Sequence, residues 1–80
     1  PTVAQGLAQV YLRSGRAEEA LAQFDRALAG GVPEQEVLTD QGLAFDLDSN
    51  QARAQAAYLK ALSFDPANGE ARRRLAISYA

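Results

Sequence analysis

Apolar residues recur along the chain at spacings of three and four. Val3, Leu7, Val10 and Tyr11 form one run, and Ala20, Phe24, Ala27 and Leu28 form the next. That is the stripe of a helix burying one face. Similar stripes return at Leu38, Gly42 and Phe45, at Ala54, Tyr58, Ala61 and Leu62, and at Leu75, Ala76 and Tyr79. No segment alternates apolar and polar with a period of two, so no sheet is predicted.

Helix-breaking residues sit between the stripes. Gly15, within Arg13-Ser14-Gly15-Arg16, can take the left-handed conformation that ends a helix. Glu18 and Glu19 then fall in the first turn of the next helix, where the helix dipole favours acids. Gly30-Gly31-Val32-Pro33 closes the second stripe, because Pro33 cannot continue a helix. At Ser49-Asn50 the left-handed turn is expected on Asn50. Pro66 breaks the fourth stripe, and Asn68 is expected to cap the fifth. The expected elements are five helices, at about 2–14, 17–30, 35–47, 51–64 and 69–80.

Sliding the chain against itself gives a match at an offset of 34. Val3 meets Val37, Tyr11 meets Phe45, Ala20 meets Ala54 and Phe24 meets Tyr58. Ala27-Leu28 meets Ala61-Leu62. A second shift brings Leu75, Ala76 and Tyr79 under Leu7, Ala8 and Tyr11. Small residues at Ala8, Gly42, Ala20 and Ala54 let paired helices approach closely. The rings of Tyr11, Phe24, Phe45 and Tyr58 fill the space between successive units, each burial stabilising by roughly 1.5–3 kcal/mol.

This order resembles the tetratricopeptide repeat (TPR), whose signature runs bulky-x2-Leu-Gly-x2-Tyr, then Ala-x3-Phe-x2-Ala, then Pro. Unit one supplies Ala4, Leu7, Ala8, Tyr11, Ala20, Phe24, Ala27 and Pro33. Unit two supplies Leu38, Gln41, Gly42, Phe45, Ala54, Tyr58, Ala61 and Pro66. The resemblance implies an all-α, α–α superhelix: a TPR solenoid of two full helix–turn–helix repeats plus one extra helix. It would be a single domain over 1–80, with repeats at 1–34 and 35–68 and a half repeat at 69–80. Gln41 stands where the family has Leu, Ser49 where it has Gly, and the Gly30-Gly31 linker is looser than Asp-Pro. These departures leave the packing angle between units one and two open.

In proteins resembling this chain, the first helix of each repeat lines a concave groove that holds a peptide or partner helix. Carried over, those positions are Gln5, Gln9, Leu12 and Arg13, then Thr39, Leu43, Asp46 and Leu47, then Arg73 and Ile77. Leu43 and Leu47 lie outside the stripe of Leu38, Gly42 and Phe45. They form either a contact surface or packing against a neighbouring helix. The Lys and Asn pattern that clamps a carboxyl terminus in one TPR subgroup is absent, since its positions hold Gln5, Gly6, Gln9, Asp40 and Arg74.

Composition narrows the chemistry. The chain has 80 residues, no Cys and no His, which excludes disulfides and the usual zinc, iron–sulfur and thiol sites. Its carboxylates, such as Asp46 and Asp48, have no His or Cys partner, and Gly30-Gly31 lacks the Lys of a phosphate loop. No enzyme, cofactor or metal is therefore expected. The net charge of −2 and the absence of a larger basic footprint argue against nucleic acid. Arg72-Arg73-Arg74 is the one charge run. It is either a site for an acidic peptide or phosphate, or a solvated surface partly paired with Asp65 or Glu70.

No apolar run approaches the roughly 20 residues of a membrane span. Abundant Ala and an Arg-over-Lys balance point to a bacterial source, and cytoplasmic and periplasmic settings are both compatible. The chain reads as a piece of a longer TPR protein. Leu75, Ile77 and Tyr79 are expected to pack partly on unit two, and the face of this helix left open to be covered by a further repeat or by a second copy. The leading expectation is a protein–protein interaction scaffold. The alternative is a self-assembly segment, in line with a loose resemblance to repeat proteins of bacterial envelope and pilus-assembly systems.

Overall fold

Five α-helices and one short 3₁₀ turn make up the regular structure of residues 3–79, which the computed structural model describes. The helices are α1 (Val3–Arg13), α2 (Ala17–Ala29), α3 (Leu38–Leu47), α4 (Gln51–Phe64) and α5 (Gly69–Tyr79). The architecture is all-α, with no strand among the described residues. The expected helix ends at positions 2 and 80 lie outside those residues.

The turns are built from the chemistry at the break points. Gly15 is left-handed at φ 72°. Its N–H donates to Leu12 at 3.1 Å, and the Arg16 N–H donates to Tyr11 at 2.8 Å. This is the Schellman pattern that closes a helix C-terminus. The same bonds recur 34 residues on, from Ser49 to Asp46 at 3.0 Å and from Asn50 to Phe45 at 2.8 Å. There the left-handed residue is Ser49, at φ 60°, and not Asn50. Asn50 instead caps α4, its side chain accepting from the Arg53 N–H at 3.3 Å. Gly31, at φ 99°, closes α2 in the same way. Asn68 caps α5 as expected, accepting from the Ala71 N–H at 3.1 Å.

The third helix differs from its expected span. Pro33 leads into a 3₁₀ turn at Glu34–Glu36, and the α-helix begins only at Leu38. Val37, at φ −115° and ψ −10°, separates the two. The Lys60 ammonium on α4 holds Glu34 at 2.8 Å and so ties this turn to the second unit.

The helices pair as α1 with α2 and α3 with α4. α3 also packs on α2, and α5 packs on α4. Two core clusters result. One holds Ala8, Ala20, Phe24, Val37 and Ala44. The other holds Leu38, Ala54, Tyr58, Ala61, Ala71 and Leu75. Each joins one helical pair to the helix that follows it. Four pairs of positions related by 34 share their burial: Ala20 and Ala54, Phe24 and Tyr58, Ala27 and Ala61, and Val37 and Ala71 are all buried. The architecture is thus helical and repeat-like.

Candidate interaction groove

α1, α3 and α5 bring side chains to a shared trough. Gln9, Leu12 and Arg13 from α1, Leu43, Asp46 and Leu47 from α3, and Arg74 from α5 line a cleft of about 420 Å³. A second cleft, of about 380 Å³, is lined by Asp46, Ser49, Gln51, Arg74, Ile77 and Ser78. Asp46 and Arg74 wall both, so the two adjoin. Gln9 also lines a third, of about 220 Å³, which reaches Gln5, Gly6 and Asp40.

Six residues expected in the groove therefore meet in one cleft: Gln9, Leu12, Arg13, Leu43, Asp46 and Leu47. Ile77 lies in the adjoining cleft and Gln5 in the third. Thr39 and Arg73 line none of the three. Thr39 instead accepts a hydrogen bond from the Asn68 amide at 3.0 Å, which fixes the start of α5 against α3. Arg73 is displaced by its neighbour. α5 docks through Ala71 and Leu75, and Arg73 follows Ala71 by about 200° around the helix. Arg74 borders the docked stripe and enters the trough.

The floor is apolar. Leu12 is half-buried and packs on the first core cluster. Leu43 is half-buried too, while Leu47 is 51% exposed. Of the two alternatives left by the sequence, Leu43 thus contributes partly to packing and partly to surface.

The polar groups are held from behind. The Tyr58 hydroxyl, on a ring with no exposed surface, donates to Asp46 Oδ2 at 2.7 Å. Burial, then the Asp46 carboxylate, push the Tyr58 pKa well above its ordinary value, so the hydroxyl stays protonated and remains a donor. The Gln9 side-chain amide donates to Asp40 Oδ2 across the two units. Burial raises the Asp40 pKa; Gln9 lowers it and nearby Glu70 adds to the rise.

The cations are not neutralised in place. The ion pairs among the described residues are Lys60–Glu34 at 2.8 Å and Arg16–Glu19 at 4.0 Å. Arg13 and Arg74 have no such partner there. The Arg72 guanidinium bonds the Pro66 carbonyl, so the expected pairing of the arginine run with Asp65 or Glu70 is not formed. Among the described residues no group of His, Cys, Asp or Glu is placed to hold a metal ion. No helix there is long and apolar enough to cross a membrane. Comparison with family models, curated proteins and solved structures gives no significant match.

Proposed function

We propose that this chain is a TPR-like scaffold segment that holds a peptide or a partner helix in the trough formed by α1, α3 and α5. The observation behind this reading is the cleft itself. Residues from matching positions of two units, Gln9 with Leu43, Leu12 with Asp46 and Arg13 with Leu47, converge on it. An apolar floor with a few directional polar groups suits recognition of a linear segment. The activity is binding, with no chemical step.

The test is peptide display against the chain and against Leu43→Asp. Peptides enriched on the first and lost on the second support the trough. Equal enrichment on both would place recognition elsewhere.

A second reading, self-assembly, rests on a different observation. Val3 is 82% and Val10 53% exposed, whereas Val37 and Ala44, 34 residues on, are buried. Ile77 and Tyr79 on α5 are 66% and 64% exposed. Light scattering across a concentration series distinguishes the two readings. A mass that rises with concentration supports assembly; a constant monomer mass removes it.

A further inference from the structure

The cleft sorts its chemistry by position. Leu12, Leu43 and Leu47 form an apolar floor between α1 and α3, while Arg13 comes from α1 and Arg74 from α5. Neither guanidinium has a carboxylate within ion-pair distance among the described residues. The one acid in the wall, Asp46, already accepts the Tyr58 hydroxyl at 2.7 Å. The cleft thus offers two unpaired cations against one engaged anion, in a chain whose net charge is −2.

We propose that the cleft takes a linear peptide carrying a bulky apolar side chain with Asp or Glu on both sides of it. This inference rests on the groove reading above and names its partner class. The apolar side chain lies on Leu43 and Leu47. The flanking carboxylates meet Arg13 and Arg74, whose planar forks bind carboxylates in paired hydrogen bonds. A Lys-flanked peptide would meet two like charges instead. The neighbouring cleft adjoins this one at Asp46 and Arg74, which leaves surface beyond the Leu floor for the rest of a linear segment. Such a contact falls below the roughly 1,200 Å² of standard interfaces, so the affinity belongs to the weak, transient class.

Fluorescence anisotropy on the whole chain tests this with short peptides acetylated at one end and amidated at the other. Three share a Leu-Phe centre flanked by Asp and Glu, by Ser or by Lys; a fourth keeps the acids and replaces Leu-Phe with Ser-Ser. The acidic Leu-Phe peptide is expected to bind with Kd on the order of 10 μM. The Lys version should bind at least ~10-fold more weakly, and the Ser-Ser version should bind no better than the Lys version. Arg13→Gln and Arg74→Gln should each weaken the acidic peptide about 5–10-fold and leave the Ser-flanked one unchanged. Arg26→Gln, on exposed α2 surface, should change neither.

Equal binding of acidic and Lys peptides, or no effect of either arginine change, would overturn the acidic partner. If Leu43→Asp still abolished binding of all Leu-Phe probes, the groove reading would survive that result. If the Ser-Ser acidic peptide matched the Leu-Phe one, the contact would be counter-ion association and the proposal would fail. Binding only after the terminal amide is removed would reassign recognition to a chain-end carboxylate. Failure of every Leu-Phe probe would remove both this inference and the groove reading.

Discussion

Gly42 on α3 exists to admit the ring of Tyr58 on α4. A Cβ at position 42 would lie 2.8 Å from Tyr58 Cδ1 and Cζ, and closer still to Cε1. That ring has no exposed surface and packs in the second core cluster. The contact spans the helical pair of unit two, so it sets how closely that pair can approach.

Gly42→Ala should therefore destabilise the chain. Overpacking costs about 1–3 kcal/mol, and the gain in helix propensity offsets about 1 kcal/mol of it. Gly6→Ala is the control, since nothing lies within 4 Å of its added Cβ. It should stabilise by roughly 0.5–1 kcal/mol. Urea unfolding of both variants checks the pair. A stabilising Gly42→Ala would mean that the ring does not fill that space.

Tyr58 and Asp46 replace an apolar pair of unit one. Their counterparts at the repeat offset are Phe24 and Leu12, and Leu12 packs on the cluster that holds Phe24. Asp46→Leu alone should cost about 1–3 kcal/mol, because it strands a buried hydroxyl. Tyr58→Phe alone should cost about 1 kcal/mol, since exposed Asp46 regains water. The double change should recover most of the loss. A double-mutant cycle measures the coupling, and strict additivity would contradict the bond.

Asp40 gives the chain a pH signature. Burial raises its folded pKa above the ordinary 3.8, against the pull of the Gln9 hydrogen bond and with Glu70 adding to the rise. Its contribution to stability is thus full below the unfolded value and is lost as pH rises through the folded value. Asp40→Asn keeps an oxygen acceptor for Gln9 and stays neutral. It should raise the melting temperature at pH 7, and the gain should fade at pH values below 3.8. A lower melting temperature at pH 7 would show that the charge, placed in the first turn of α3, is a net asset.

Much of the fold was legible because its determinants are local. The 3.6-residue stripes marked all five helices, and Gly15, Pro33, Pro66 and Asn68 marked their ends. The start of α3 was not legible. Pro33 signals a break but not that a 3₁₀ turn will take up Glu34–Glu36 before the α-helix begins. Ser49 took the left-handed position because Asn50 is the better cap for α4. Gln9, Leu12 and Arg13 on α1 line one cleft with Leu43, Asp46 and Leu47 on α3, three pairs that each lie 34 residues apart. Arg74 in place of Arg73 depended on how Ala71 and Leu75 dock α5, a tertiary contact that turns a one-residue step into about 100° of rotation. The Tyr58–Asp46 and Gln9–Asp40 bonds join residues from different helices, and no spacing along the chain announces them.

The central claim, that the trough of α1 and α3 is the binding surface, is tested most directly by amide chemical-shift mapping. The ¹⁵N-labelled chain would be titrated with peptides recovered by display. The largest shifts should fall at Gln9, Leu12, Arg13, Leu43, Asp46 and Leu47. Shifts concentrated instead at Val3, Val10, Ile77 and Tyr79, or shifts that track protein concentration without peptide, would contradict it.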